Sequence, residues 1–90
     1  MKIRAEVTVQ GLVQGVSFRY HTRQMAMMLN VTGWVQNLPN GEVRGCFEGD
    51  QNDVQALIDW CHHGPAYAEV ENIIVDKKTF RGEFRGFHVR

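Results

Sequence analysis

Ile3, Ala5, Val7 and Val9 alternate with Lys2, Arg4, Glu6, Thr8 and Gln10, so the chain opens on a strand with one apolar and one polar face. Gly11 ends that pattern. From Phe18 the period changes: Phe18, Thr22, Met25, Ala26 and Leu29 share one helical face. The spacing predicts a helix over residues 18–30, with Ser17 as N-cap and Asn30 at its close. Val31 to Asn37 is β-branched and aromatic and predicts a second strand. Leu38-Pro39-Asn40-Gly41 predicts a turn, because proline fixes φ and Asn-Gly tolerates positive φ. Glu42 to Glu48 predicts a third strand with Val43 and Phe47 facing inward, broken by Gly49-Asp50. Asp50 or Asn52 then caps a second helix over residues 52–63, stopped by Gly64-Pro65. Ala68 and Val70 alternate with Glu69 and Glu71 to open a fourth strand. Its phase breaks near Asn72, where Ile73, Ile74 and Val75 are all apolar, as at a bulge or a buried stretch. Lys77 to Gly82 reads as a polar turn, and Phe84, Phe87 and Val89 as a short final strand.

The order strand, helix, strand, strand, helix, strand is α+β. It predicts a ferredoxin-like βαββαβ sandwich, an antiparallel sheet with two helices on one face. One covered face agrees with the one-sided alternation of the first strand. The 90 residues are expected to form a single domain over 1–90, with no repeat or linker. A chain of that size buries roughly 60–65% of its unfolded surface, enough for one core.

Lys plus Arg equals Asp plus Glu, 10 of each, so no net field draws the chain to nucleic acid or anionic lipid. Any anion selectivity is therefore local. No apolar run approaches the ~18 residues of a membrane helix, and Met1 to Glu6 lacks a signal-peptide core. The expectation is a cytoplasmic protein with no membrane partner. Of the two cysteines, Cys46 falls with Glu42, Arg44 and Glu48 on a polar strand face. Cys61 continues the apolar helix face of Val54, Leu57 and Ile58. Free thiols are expected, with a bridge left open because strand phase can slip.

Candidate chemistry concentrates between the first strand and the first helix, in Gly11-Leu12-Val13-Gln14-Gly15-Val16-Ser17-Phe18-Arg19. A glycine loop lets backbone N–H groups converge on one point, and the helix N-terminus adds partial positive charge there. Arg19 supplies a planar fork for a tetrahedral oxyanion. Gly-x-x-x-Gly alone is equally a plain strand-to-helix connection with a surface arginine. The loop lacks the Gly-Lys-Ser/Thr of a nucleotide P-loop and the Gly-x-Gly-x-x-Gly of a dinucleotide site. Asn37 closes a strand before a tight turn. It either caps that turn or orients a water, since an amide both accepts and donates. His21 is expected at the surface. His62 and His63 suit a helix C-terminus better than a metal site, because adjacent helix positions point about 100° apart. Trp34 and Trp60 are expected to be partly buried, and Glu69 and Glu71 solvated.

Gly11-x-Val13-Gln14-Gly15-Val16-x-Phe18-Arg19 resembles the first signature of the acylphosphatase family. Gly33-Trp34-Val35-Gln36-Asn37-x-x-x-Gly41-x-Val43, with Gly49 beyond, resembles the second. Gly64-Pro65, Ala68-x-Val70 and the terminal Phe87-x-Val89-Arg90 are similar to later landmarks, so the resemblance covers almost the whole chain. It implies the ferredoxin-like fold and hydrolysis of acyl phosphates to carboxylate and inorganic phosphate, with no metal and no cofactor. It implies that Arg19 and the backbone N–H groups of Gln14, Gly15, Val16, Ser17, Phe18 and Arg19 bind the phosphoryl group, while Asn37 positions the attacking water. The partners implied are a small acyl phosphate and inorganic phosphate as product inhibitor, and a monomer is expected. Ala66 stands where many members carry a second proline, a departure expected to affect only a loop. Two other readings stay open. One is a phosphate-binding accessory domain. The other is a ferredoxin-like RNA-binding module, suggested by fragments such as Arg85-Gly86-Phe87 and opposed by the neutral charge.

Overall fold

A computed structural model describes residues 1–90. Its elements are β1 (Lys2–Leu12), α1 (Phe18–Met28), β2 (Thr32–Asn37), β3 (Val43–Asp50), α2 (Gln51–Cys61), β4 (Glu69–Thr79) and β5 (Phe87–Val89). The strands form one sheet in the order β4-β1-β3-β2-β5. β1 pairs antiparallel with β3 and β4, and β2 with β3. β5 lies parallel to β2, with Gly33 opposite Phe87. The sheet is therefore mixed at one edge rather than antiparallel throughout. The chain leaves β4 beside the start of β1 and crosses to the start of β2 before β5 begins, so β5 must run in β2's direction.

Both helices pack on the apolar face. Ala5, Val7 and Val9 of β1 meet Val35, Val43 and Phe47 below Phe18, Ala26, Val54, Leu57, Ile58 and Cys61. The Phe18 and Trp60 rings, 5.5 Å apart, join the two helices. Close backbone approach is built in at Gly33, whose φ is 138°. A Cβ there would sit 1.8 Å from the Cys46 carbonyl oxygen. Gly33→Ala is expected to destabilise the fold by about 3 kcal/mol or more, read as a lower urea midpoint at unchanged slope.

Several strand boundaries differ from the sequence reading; β3 runs on through Gly49 and Asp50, where a break was expected, because both pair with β1 opposite Ile3 and Lys2. β1 does not stop at Gly11. It continues to Leu12 through a register shift in which Gln10 faces Asn72 and Gly11 faces Val70, leaving Glu71 extra. That is the bulge behind the phase break near Asn72. A Cβ on Gly11 would lie 2.2 Å from the Glu69 carbonyl oxygen, so glycine permits the bulge. β4 also runs on through Lys77, Lys78 and Thr79, opposite Ala5, Arg4 and Ile3, where a turn was expected. It is an edge strand, and edge positions tolerate lysine. Phe84 lies outside β5, with the Arg4 guanidinium 5.3 Å from its ring centre. α1 and α2 end at Met28 and Cys61, each two residues short of the expected limit.

The second sheet face is polar, but residues 80–86 cover part of it. Glu48 is fully buried there. Its carboxylate accepts from the Arg81 and Gly82 backbone N–H groups at 2.8 and 3.1 Å and faces Arg4 at 3.5 Å. Arg4 also pairs with Glu83, holding that carboxyl below its ordinary value. Cys46 lies on this polar face as expected, yet it is buried, and desolvation raises its thiol pKa against the opposing pull of Arg4. Cys61 is in the core on the opposite face, and burial pushes it up to about 12. Both thiols are free, and the sheet separates them.

Candidate active site

The segment between β1 and α1 is pinned from both sides. Val13 and Phe18 are buried, and Val16 packs against the core. From the other side Gln14 Nε2 donates to the carbonyls of Leu38 and Glu42, at 2.7 and 2.9 Å, tying the loop to the β2–β3 turn. Gly15 and Ser17 both have positive φ, 73° and 63°. The apolar side chains of the loop are drawn toward the core. None of the backbone N–H groups from Gly15 to Arg19 donates to an acceptor of the protein. A run of free amides at a helix N-terminus is the kind of backbone arrangement that can accept an anion. Ser17 is the residue before the helix, as expected, but it does not cap with its side chain. A capping serine needs an extended backbone, and the left-handed conformation here turns the residue away from that geometry.

Arg19, in the first turn of α1, donates from Nη1 to the Arg90 backbone oxygen at 2.6 Å. One turn later Arg23 donates from Nε to the Phe87 carbonyl at 3.2 Å. Edge strand β5 thus braces the Arg23 guanidinium, and Arg90 just after it braces that of Arg19. Asn37 closes β2, paired with Val43. Its Oδ1 is buried and has no hydrogen-bond partner in the protein.

These groups open onto one cleft of about 540 Å³ lined by Val13, Gly15, Ser17, Phe18, Arg19, Tyr20, Arg23, Asn37 and Val89. It holds two arginines and no carboxylate, in a chain whose net charge is zero. Of the residues expected at the site, Gly15, Ser17, Phe18, Arg19 and Asn37 meet here. Gln14 and Val16 do not line the cleft; the Gln14 side chain serves the loop tether and that of Val16 the core. Tyr20, Arg23 and Val89 were not anticipated. The four-residue step from Arg19 to Arg23 was the available signal, since such positions share a helix face.

His21 is exposed and bonds the Ser17 carbonyl through Nδ1. Nowhere do three His, Cys, Asp or Glu side chains gather as a metal-binding group. Ala66 is exposed in the loop after α2, away from the cleft. Phe47 and Phe87 are core residues on the helix side of the sheet, so neither offers a ring for stacking on the opposite surface.

The acylphosphatase family model matches residues 5–89. The chain belongs to the acylphosphatase family. An acylphosphatase of Geobacter metallireducens is 67% identical over 90 residues, 100% of this chain and 97% of that one. Among solved structures, an acylphosphatase from Coxiella burnetii superposes with a TM-score of 0.93 at 36% identity, covering 99% of this chain and 93% of its own. The acylphosphatase from Bacillus subtilis gives 0.94 at 28% identity, covering 98% of each. The ferredoxin-like α+β fold and the enzyme class, acylphosphatase, are thereby established. No helix of this acylphosphatase is long and apolar enough to cross a membrane.

Proposed function

We propose that the enzyme cleaves the carboxyl–phosphate bond of small acyl phosphates in the cleft between the β1–α1 loop and the end of β2. The observation that carries this reading is the meeting, in one cleft, of unpartnered loop amides, the Arg19 fork and the orphaned Asn37 oxygen. The amides of residues 14–19 and Arg19 hold the phosphoryl oxygens. Asn37 orients a water opposite the leaving group. The water oxygen bonds to phosphorus as the bridging P–O bond breaks. The electron pair leaves on a carboxylate, and the water proton passes to a phosphoryl oxygen.

The chemistry needs little else. A carboxylate whose acid has a pKa of about 4–5 departs without protonation. A loose phosphoryl-transfer transition state spreads charge over the equatorial oxygens, so positioning and oxyanion stabilisation dominate. No general acid or metal is required. Inorganic phosphate occupies the same cradle as product. The balanced charge suits a monomer in the cytoplasm without nucleic-acid partners.

The test is hydrolysis of benzoyl phosphate with EDTA present and inorganic phosphate titrated. The expected result is rapid, chelator-insensitive turnover with competitive inhibition by phosphate. Absence of turnover while phosphate still binds would leave an anion-binding module in place of this mechanism.

A further inference from the structure

The cleft contains a second guanidinium, that of Arg23, which the proposed mechanism does not use. Arg23 stands one helical turn from Arg19, about 5.4 Å along the axis. Its Nε is held by the Phe87 carbonyl at 3.2 Å, which fixes the plane of the guanidinium. Neither of its two Nη groups has a hydrogen-bond or ion-pair partner in the protein. By contrast, Arg4 and Arg44 are both matched to carboxylates. Val89 and Tyr20 are the other lining groups from the same elements, and the Tyr20 hydroxyl accepts a bond from Gln24 that holds the ring.

We infer that Arg23 is a specificity residue for the acyl part of the substrate: the enzyme favours acyl phosphates carrying a second anionic group, carboxylate or phosphate, on a short acyl chain. The inference rests on the phosphoryl group binding at Arg19. With the phosphoryl group there, the acyl chain extends over Val89 and places a second anion at the free edge of Arg23. One helical turn between the arginines corresponds to a spacer of about two to four carbon atoms. A guanidinium held in plane by one bond offers two parallel N–H groups to such an anion at little further cost in order. No Asp or Glu side chain lines the cleft to compete for it.

The experiment compares three substrates of one shape: benzoyl phosphate, 3-carboxybenzoyl phosphate and the neutral 3-carbamoylbenzoyl phosphate. For the natural sequence, kcat/KM is expected to be about 10-fold higher for the carboxylate than for the amide at low ionic strength. That ratio should shrink as salt is added, because the pair is solvent-accessible. In Arg23→Gln the ratio is expected to fall to about 1, and in Arg23→Lys to stay between the two. Equal kcat/KM for carboxylate and amide in the natural sequence would overturn the inference. So would a ratio unchanged by Arg23→Gln, since a purely structural brace on β5 would lower all three substrates together. Failure of the underlying reading looks different: none of the three substrates would be turned over, or Arg19→Ala would turn them over normally.

Discussion

Arg19→Ala is expected to lower kcat/KM for benzoyl phosphate by about 10³–10⁵-fold, the range seen when a guanidinium that stabilises a transferring phosphoryl group is removed. The reason is differential. On the proposed mechanism the loop amides remain to bind the phosphoryl group in the ground state. As the bridging bond breaks, charge on the equatorial oxygens must be met by fixed donors, and Arg19 supplies the only full positive charge in the first turn of α1. The loss should appear in both kcat and the affinity for inorganic phosphate. The fold should survive, because the one hydrogen bond lost inside the protein is that to the Arg90 backbone oxygen, and Arg19 lies outside the core. Circular dichroism and urea unfolding check that arm. Arg19→Lys should recover only a small part of the rate, because a point charge replaces a planar fork already aligned by β5. Turnover within a few-fold of normal in Arg19→Ala would remove the arginine from the mechanism.

Asn37→Ala is expected to separate the two halves of the site. We expect kcat to fall about 10²–10³-fold through lost orientation of the attacking water, with inhibition by inorganic phosphate changed by no more than a few-fold. Stability should hold or rise slightly. The Asn37 oxygen is buried without a partner, and an unsatisfied buried acceptor costs about 1–3 kcal/mol that alanine would not. That combination, a lower kcat with equal or higher urea midpoint, is the signature of a polar group kept for function. A collapse of phosphate affinity at unchanged kcat would instead put Asn37 in the cradle. A loss of stability would restore it to the turn-capping role that its position before Leu38-Pro39 also suggested.

Much of this architecture was legible along the chain, because period-two and helical patterns report directly on which side of an element is buried. The one-sided alternation of β1 and the helical face of Phe18, Thr22 and Ala26 follow from that rule, and the turn at Leu38–Gly41 follows from its proline and Asn-Gly pair. The misreadings fall where local pattern and tertiary need diverge. Lys77 and Lys78 look like a turn because they are polar, yet β1 requires a partner along that stretch. Glu48 lies on the polar strand face as read, yet nothing in that pattern shows the returning segment closing over it with two backbone N–H groups. Ser17 has the right chemistry for an N-cap and the wrong backbone, a conflict that only the loop's path reveals.

By itself the sequence determined the order of elements, the apolar faces, the loop glycines and the identities of Arg19 and Asn37. Each is encoded by spacing or residue type within a few dozen positions. What only the tertiary structure decided is how those residues become a site. β5 lies parallel to β2, and its Phe87 carbonyl and the Arg90 oxygen just beyond it meet Arg23 and Arg19. Gln14 ties the loop to a turn more than twenty residues away. Tyr20 and Val89 join a cleft that no local pattern announces, and Arg23 is hinted at only by its four-residue step from Arg19. Backbone carbonyls carry no residue identity, and the pairing that presents them is long-range, so their position is a property of the folded sheet.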